Sequence, residues 1–368
     1  NVGEVQRLLK LMKTGGGGRK TNTNVAKEVT EGKFDSLKDL LDENADPNST
    51  TDDGKSALHF AAMFDNGEAI SRLLEAKAHI DALDEDGLTP AAYAVQYNNT
   101  TCLTTLIEAK AAVTPQKERM ESPLIMAAKT DTADCAEILL KHSASVEYQG
   151  YTGTALIQAA LNNSTKVCKI LLDAKANPDG LSWKGETPLF QATQMEAVET
   201  VKLLLSHKAD PSLATKTGES PLFTAILNGS EESFGLLLKA KANLNIKDKE
   251  GLTPLGQACI CNQPLALELI KSKANVNLAN LHGDTPLHLC GMYNAPRVAQ
   301  MLLEAKADVN AKNNNGQTAT ELASQASFTN TDKEDLLQKV REAHARGDHE
   351  EAKEFLNAWK ESRGVFGT

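Results

Sequence analysis

The sequence has few aromatic residues and few cysteines. Only 4% of its 368 residues are aromatic, although 41% are hydrophobic. The hydrophobic fraction is sufficient for a folded chain and argues against wholesale disorder, whereas the scarcity of aromatic side chains argues against one large conventional core. The six cysteines are too sparse for a disulfide framework, and their small number favours a reducing, cytoplasmic location.

The sequence also lacks an excess of positive charge and any long hydrophobic run. It contains 39 Lys and Arg against 49 Asp and Glu, and its formal net charge is −10. A general electrostatic footprint for nucleic acid needs a basic surface, so we expect no nucleic-acid partner. No segment approaches the ~20 consecutive apolar residues that span a bilayer, so we expect no membrane insertion. The sequence begins with Asn1 rather than Met, which leaves the natural start, and a nuclear or organellar address, open.

Fragments that resemble catalytic or metal-binding motifs each miss a required residue. Gly54-Lys55-Ser56 ends like a phosphate-binding loop, but Ser49 stands where the first glycine is needed. The pair in Cys259-Ile260-Cys261 is one residue short of a zinc-binding CxxC, and no second pair lies near it. His349-Glu350 is followed by Lys353 where a zinc protease needs its second His. We therefore predict no catalytic residues, no metal, no cofactor and no enzyme activity.

The sequence repeats itself with a period of about 33 residues. One marker is a Ser or Thr that opens a Thr-Pro-Leu-like phrase: Ser56, Thr89, Ser122, Thr154, Thr187, Ser220, Thr253, Thr285 and Thr318. A second marker is the first member of a Leu-Leu or Leu-Ile pair: Leu40, Leu73, Leu106, Leu139, Leu171, Leu204, Leu237, Leu269 and Leu302. Two independent markers with one period indicate a repeat protein, in which stacked repeats bury one continuous core and the paired leucines are buried.

Residues 185–212 illustrate the local structure that one repeat predicts. Gly185 permits a turn with positive φ. Thr187 is a good N-cap, and Pro188 fits the first position of a helix, where its missing N–H costs nothing. A short first helix follows, and the apolar spacing within 198–205 then predicts a second, amphipathic helix.

The phrases Thr285-Pro286-Leu287-His288, Ser56–Ala62 and Ala307–Ala311, together with the period, resemble the ankyrin repeat. The resemblance covers about residues 22–330. It implies an all-α fold of stacked helix–turn–helix repeats with short β-hairpin fingers, which together form a curved solenoid. It further implies protein recognition on the concave side, without catalysis. The His of each repeat phrase, as in His288, is expected to hydrogen-bond backbone between repeats.

Two features depart from the family pattern. Most second helices end in Lys where the family usually has Gly: Lys77, Lys110, Lys175, Lys208, Lys241, Lys273 and Lys306, with Asn44 and Ser143 in two other repeats. A functional interpretation is a basic stripe for an acidic partner or phosphates. We favour a repeated helix C-cap, because acidic neighbours dilute the stripe and the cation offsets part of the left-handed strain. Thr152 and Met120 stand where the turn glycine is expected, which predicts two altered turns.

The ends of the chain depart from the period and predict three regions. Residues 1–21 would form a short amphipathic helix and a Gly-rich linker. Residues 22–330 would form the repeat solenoid, comprising an N-terminal cap and about eight to nine repeats. Residues 331–368 would form a C-terminal helical hairpin that caps the stack and packs Trp359.

The resemblance also predicts the residues that contact a partner. In this family the two residues after the Ala-Ala-like phrase of the first helix face the groove. The positions predicted on that basis are Met63, Phe64, Gln96, Tyr97, Lys129, Leu161, Asn162, Met195, Leu227, Asn228, Ile260, Met292 and Tyr293. The predicted finger tips add Asp52, Asp53, Glu85 and Asp86, which are acidic, and Trp183. Met and aromatic residues are enriched in binding interfaces, although some of these side chains would instead pack beneath the fingers.

Three functions fit these observations. The leading hypothesis is a noncatalytic adaptor, or a subunit of a hetero-oligomeric complex, that binds a protein through the groove and fingers. A second is a structural spacer whose ends attach to its neighbours. A third is the regulatory repeat region of a longer enzyme or channel.

Overall fold

The computed structural model describes residues 24–115 and 120–325, and these residues form nineteen α-helices. The predicted N-terminal helix, the C-terminal hairpin and Trp359 lie outside the described residues. The chain divides into two compact parts, which we call the N-terminal half (Asn1–Gly180) and the C-terminal half (Leu181–Thr368). Within the described residues, no helix is both long enough and apolar enough to cross a membrane.

Each repeat of the N-terminal half consists of a first helix and a second helix. The first helices are α1 (Val25–Glu28), α3 (Ala57–Met63), α5 (Pro90–Gln96), α7 (Pro123–Thr130) and α9 (Ala155–Leu161). The second helices are α2 (Leu37–Asp42), α4 (Gly67–Glu75), α6 (Thr100–Glu108), α8 (Ala133–Lys141) and α10 (Thr165–Asp173). Each first helix packs on the next first helix and each second helix on the next second helix, so the repeats stack as predicted.

The C-terminal half has the same organisation. Its first helices are α11 (Pro188–Gln194), α13 (Pro221–Asn228), α15 (Pro254–Cys261), α17 (Pro286–Tyr293) and α19 (Ala319–Gln325). Its second helices are α12 (Val198–Ser206), α14 (Glu231–Lys239), α16 (Gln263–Lys271) and α18 (Pro296–Glu304). The first helices again form a continuous stack from α11 to α19.

The predicted helix starts are confirmed. The Ser or Thr of each repeat phrase is the N-cap of every first helix from α3 to α17. The hydroxyl oxygen of Thr89, for example, accepts from the backbone N–H of Ala92 at 3.2 Å. Such a bond satisfies one of the backbone donors that a helix leaves without an intrahelical partner.

The first members of the leucine pairs form the core, with one exception. The prediction that both members are buried was wrong for five second members, which are half-buried: Leu41, Leu74, Leu140, Leu205 and Leu238. From Leu73 to Leu302, the first member of each pair is fully buried. The expectation for Leu40 was wrong: this side chain is half-buried, and Leu37 of the same helix is buried instead. Among the described helices, α2 has a neighbouring second helix on one side, α4, whereas the inner second helices of this half have one on each side.

Three cysteines serve as small apolar packing groups. Cys102, Cys135 and Cys290 are buried within the helical stacks. Burial raises the pKa of the Cys102 thiol to about 12 and that of Cys135 to about 11. These thiols therefore stay protonated near neutral pH and serve as packing groups.

Turn loops precede the first helices at the predicted finger positions. The glycines at 54, 87, 185, 218, 251, 283 and 316 all have positive φ, as predicted. In a typical loop the N–H of Asp84 donates to the carbonyl of Leu88 at 3.1 Å, and the Asp84 carboxylate accepts from the Leu88 N–H at 2.8 Å. The β-hairpin strands are not confirmed, because the described residues contain only isolated bridges, Thr50–Ser56 and Gly150–Gly153.

Two irregular backbone positions also follow the sequence predictions. In the loop where Thr152 replaces the turn glycine, Gly153 takes the unusual conformation one residue later, with φ +120°. The lysines that end the second helices adopt the left-handed conformation, with φ between +61° and +76°. Lys208, at φ +66°, is one of them, and its N–H donates to the carbonyl of Leu205. The C-cap interpretation of the Lys column is consistent with this geometry.

Hydrogen bonds from backbone N–H groups to side-chain oxygens join successive repeats within each half. In the N-terminal half, the N–H of His79 donates to the side-chain oxygen of Asn48 at 2.7 Å. In the C-terminal half, the N–H of Asn275 donates to Asn245 at 2.8 Å. We call this recurring bond the repeat-joining bond. It holds the loops of neighbouring repeats at a fixed spacing.

Candidate protein-binding surface

The predicted partner-binding positions lie where the first helices end. Phe64, Tyr97 and Met195 are the C-cap residues of α3, α5 and α11, and Tyr293 is the last residue of α17. We call the predicted positions at these ends the helix-end residues. They comprise Met63, Phe64, Gln96, Tyr97, Lys129, Leu161 and Asn162 in the N-terminal half, and Met195, Leu227, Asn228, Ile260, Met292 and Tyr293 in the C-terminal half.

Five helix-end residues expose a large apolar side chain. The exposed fractions are 44% for Phe64, 50% for Tyr97, 51% for Met195, 57% for Leu227 and 51% for Tyr293. The stacked helices do not need these side chains for their core, since the buried leucines and alanines already fill it. Exposed apolar side chains recurring at equivalent positions mark a candidate contact surface.

Four apolar helix-end residues are half-buried: Met63, Leu161, Ile260 and Met292. Their side chains are therefore partly covered by the protein and partly exposed. They would support a contact surface and add less area to it than the exposed side chains do.

Three polar helix-end residues are already engaged by the protein itself. The ammonium of Lys129 lies 2.9 Å from the carboxylate of Glu121. The side-chain amide of Asn228 donates to the carbonyl of Gln194, in the preceding repeat, at 3.1 Å. The amide of Asn162 donates to a carbonyl of its own helix at 2.8 Å. These contacts give the three side chains a structural role whether or not a partner is bound.

Asn99 fixes the end of α3, a role that sequence reasoning missed. Its side-chain amide donates to the carbonyl oxygens of Ala62 at 2.8 Å and Met63 at 2.9 Å. Asn99 follows Tyr97 closely in the chain, so these bonds join two neighbouring helix ends. The sequence signal was the position of this Asn, two residues beyond Tyr97, the C-cap of α5. Carbonyls at helix ends need hydrogen-bond donors, and an Asn nearby can supply them.

The finger loops of the N-terminal half carry the predicted acidic side chains. Asp52, Asp53, Glu85 and Asp86 are all exposed. The ammonium of Lys55 and the hydroxyl of Thr51 donate to the Asp53 carboxylate, and these bonds lower the pKa of Asp53 to about 2. Asp53 therefore keeps its charge throughout the physiological pH range.

Tyr93 connects the finger loops to the helix ends. Its hydroxyl donates to the Asp84 carboxylate at 2.7 Å, and its ring packs edge-on against the His59 ring with centroids 5.5 Å apart. The Lys55 ammonium lies 5.9 Å from the Tyr93 ring centroid. Burial and the Asp84 carboxylate raise the pKa of Tyr93 above its ordinary value, so the hydroxyl remains a donor. The sequence signal for this role was the four-residue spacing between Tyr93 and Tyr97.

The finger loops of the C-terminal half combine an aromatic side chain with lysines. Trp183 is 67% exposed, and the Lys184 ammonium lies 5.3 Å from its ring centroid. The Lys216 ammonium donates to the Trp183 carbonyl at 2.6 Å. The Trp183 backbone is thereby tied to the next loop while its ring stays accessible, which suits an anchor residue.

The histidines and acidic side chains of the described residues form no cluster suited to a metal ion. No group of three or more His, Cys, Asp or Glu side chains in this part of the chain is placed to hold a metal ion. Both ring nitrogens of His59 and of His288 are engaged by repeat backbone, as predicted for the repeat phrase. What this surface can offer is contact area, fixed charge and hydrogen-bonding groups.

Comparison with known proteins agrees with this architecture. The family model described as ankyrin repeats (3 copies) matches residues 25–117, 109–181, 176–248, 236–313 and 255–332. Among solved structures, the chain is similar to the crystal structure of the human ASB11 ankyrin repeat domain, with 25% sequence identity and a TM-score of 0.54. That match covers 60% of this chain and 99% of the other. No match was found among curated proteins.

Proposed function

Because the chain belongs to the ankyrin-repeat family, whose members generally serve as protein–protein interaction modules, we propose that it is a noncatalytic adaptor or complex subunit. In this proposal it binds a protein partner through the helix-end residues and the finger loops. The fold is typical of noncatalytic proteins, and the family name alone identifies neither the partner nor the complex.

One observation carries the proposal: large apolar side chains recur, exposed, at equivalent helix ends. In the C-terminal half, Met195, Leu227 and Tyr293 each expose more than half of their surface. Burying such side chains against a partner removes apolar area from water, at about 25 cal/mol per Å² before the costs of association are subtracted. Aromatic residues and Met are also enriched in interfaces.

The helix ends are held in place before any partner arrives. Asn99 binds the last carbonyls of α3, and Asn228 binds a carbonyl at the end of α11. Side chains on fixed backbone lose less conformational freedom on binding than side chains on mobile loops. The finger loops are likewise joined: the N–H of Glu85 donates to the carbonyl of Asp53, and that of Leu281 to the carbonyl of Glu250.

The test is affinity capture from the native source, mass spectrometric identification, and reconstitution with the purified candidate partner. The variants are Tyr97→Ala, Leu227→Ala and Tyr293→Ala, with Lys239→Ala on the second helix α14 as an exposed control. Truncating a true anchor is expected to cost roughly 2 kcal/mol or more in binding. The control should bind as wild type does, and every variant should retain its circular dichroism spectrum.

Phe64 is a poor choice for this test, although it is exposed. A Cβ placed on Gly32 would lie 3.0 Å from the Phe64 ring, so one side of the ring packs on the loop that contains Gly32. Truncating Phe64 would therefore disturb the protein as well as its binding surface. If the three helix-end variants all bind as wild type does, the adaptor proposal fails in favour of the structural spacer.

A further inference from the structure

Four aromatic side chains of the N-terminal half lie on two neighbouring first helices. Phe64 and Tyr97 occupy equivalent C-cap positions of α3 and α5, which pack on each other. Residues four apart lie on the same side of a helix, so Phe60 lies one turn before Phe64 and Tyr93 one turn before Tyr97. We call these four residues the aromatic face. Phe60 and Tyr93 are buried, whereas Phe64 and Tyr97 are exposed.

Hydrogen bonds hold the backbone that carries the two exposed rings. Asn99 binds the carbonyls of Ala62 and Met63 immediately before Phe64, and it follows Tyr97 by two residues. The backbone N–H of Tyr97 donates to the carbonyl of Tyr93 at 3.1 Å. Asn99 therefore ties the end of α3, which carries Phe64, to the chain that follows Tyr97.

A cation already lies over the inner end of this face. The Lys55 ammonium is 5.9 Å from the Tyr93 ring centroid, within the range at which a ring attracts a cation, and it also binds the Asp53 carboxylate. The protein thus combines ring, cation and carboxylate beside its finger loops. Among the described residues, no cation lies over the exposed rings of Phe64 or Tyr97.

The finger loops that precede α3 and α5 are acidic. The acidic side chains exposed there are Asp52, Asp53, Glu85 and Asp86. Asp52 pairs with Lys27, and Asp53 pairs with Lys55. Within the described part of the chain, Glu85 and Asp86 take part in no ion pair. Complementary charge across an interface speeds association and disfavours partners of the same sign.

We propose that the aromatic face receives a cationic segment of a protein partner, one that carries arginine or lysine. In this arrangement a partner cation lies over the exposed Tyr97 ring, and further partner cations lie near Glu85 and Asp86. The inference rests on the protein-binding function proposed above and specifies the partner chemistry for the N-terminal half. The proposed contact requires positive charge on the partner segment, whereas burial of contact area alone would not.

The test measures binding of a fluorescein-labelled peptide of alternating Arg and Gly to the full chain by fluorescence polarisation. A peptide with Glu in place of Arg is the matched probe. Tyr97→Phe keeps the ring, whereas Tyr97→Leu keeps apolar bulk and removes the ring. We expect the Arg peptide to bind and the Glu peptide not to bind. Tyr97→Phe should stay within about twofold of wild type, and Tyr97→Leu should weaken binding about threefold or more.

The finger-loop carboxylates provide a second, independent test of the cationic partner. The double variant Glu85→Gln and Asp86→Asn should weaken binding of the Arg peptide and flatten its dependence on salt concentration, because exposed charges act through a screened field. Lys239→Ala, on the second helix α14 of the C-terminal half, should leave peptide binding unchanged. Urea midpoints of all variants establish that folding is retained.

The outcomes separate this inference from the function on which it rests. Equal binding of the Arg and Glu peptides, or wild-type binding by Tyr97→Leu, overturns the cationic specificity. If the Arg peptide does not bind although Leu227→Ala weakens the native complex, the adaptor function stands and this inference fails. If neither the peptide nor the native partner responds to any helix-end variant, both proposals fail.

Discussion

The Nε2 atom of His59 lies 3.1 Å from the backbone carbonyl oxygen of Leu88, in the following repeat. The other ring nitrogen, Nδ1, lies 3.0 Å from the backbone nitrogen of Ser56 and accepts its proton. Because Nδ1 accepts, Nε2 carries the ring proton and donates to Leu88. His59 therefore joins two repeats as a neutral imidazole, and a second proton on Nδ1 would remove the bond to Ser56.

This arrangement predicts a pH dependence of stability. Burial lowers the pKa of His59 below the ordinary value of 6.5. The unfolded chain then binds the proton more readily than the folded chain, so the free energy of unfolding falls as pH decreases below about 6.5. His59→Gln should remove part of that fall. Urea midpoints at about pH 7.5 and pH 5.5 measure it, and an equal fall in variant and wild type would contradict the prediction.

A second prediction compares neighbouring leucines of α12. Leu204 is fully buried and Leu205 is half-buried. Leu204→Ala should lower the free energy of unfolding by about 2–5 kcal/mol, since it leaves a cavity in the core, and Leu205→Ala should cost clearly less. Because repeats contact only their neighbours, hydrogen exchange should rise most around α12. A uniform rise across every described repeat would contradict this local coupling.

A third prediction compares two glycines with the same backbone conformation. Gly87 and Gly251 both have φ +75°. A Cβ on Gly87 would meet nothing within 4 Å, whereas one on Gly251 would lie 2.8 Å from the backbone nitrogen of Leu281. Both Ala variants pay about 1–2 kcal/mol for a left-handed residue, so Gly251→Ala should be the more destabilising by thermal or urea denaturation. Equal losses of stability in the two variants would mean that the loop containing Leu281 moves away from the added Cβ at no cost in free energy.

A fourth prediction concerns the lysines that end the second helices. Lys208→Gly should raise the free energy of unfolding by up to about 1 kcal/mol, because Gly adopts φ +66° with less strain than Lys. Lys208→Ala is the matched control: it keeps the strain and removes a charge that contributes about 0.3–1 kcal/mol beside the helix carbonyls. Ala should therefore destabilise the chain in urea titrations. Stabilisation by Ala, or destabilisation by Gly, would show that the C-cap account is incomplete.

The regular part of the fold could be predicted from the sequence because it depends on local chemistry repeated many times. A Thr followed by Pro at a helix start, as in Thr187 and Pro188, needs only neighbouring backbone to act. The burial of Leu40 was predicted wrongly for a different reason. It depends on how many helices cover α2, and the 33-residue period carries no information about that number. The hairpin strands expected in the fingers were not confirmed. In a loop such as that of Asp84, hydrogen bonds to this one residue hold the turn without extended strands.

The period located the candidate surface in the sequence. It did not predict which of the polar side chains on that surface are bound to other residues of the protein. Equivalent positions led to Tyr97 and Leu227, and both are exposed. The same rule also selected Asn228, whose amide is committed to the preceding repeat. Whether a polar side chain at such a position is committed depends on contacts between residues far apart in sequence. Asn99 is the opposite case, a residue with a structural role that the rule did not select. No repeat phrase contains it, although it holds two helix ends together.

The repeat-joining bond has a consequence for how such a chain changes length during evolution. Asn245 accepts from the N–H of Asn275, and Asn277, next in the series, accepts from the N–H of Asp308. A segment of one period thus carries an acceptor for the repeat that follows it and a donor for the repeat that precedes it. Tandem duplication or loss of a whole period would leave every such joint matched. Insertion of any other length would leave a donor facing no acceptor, so variation in copy number is favoured over variation in spacing.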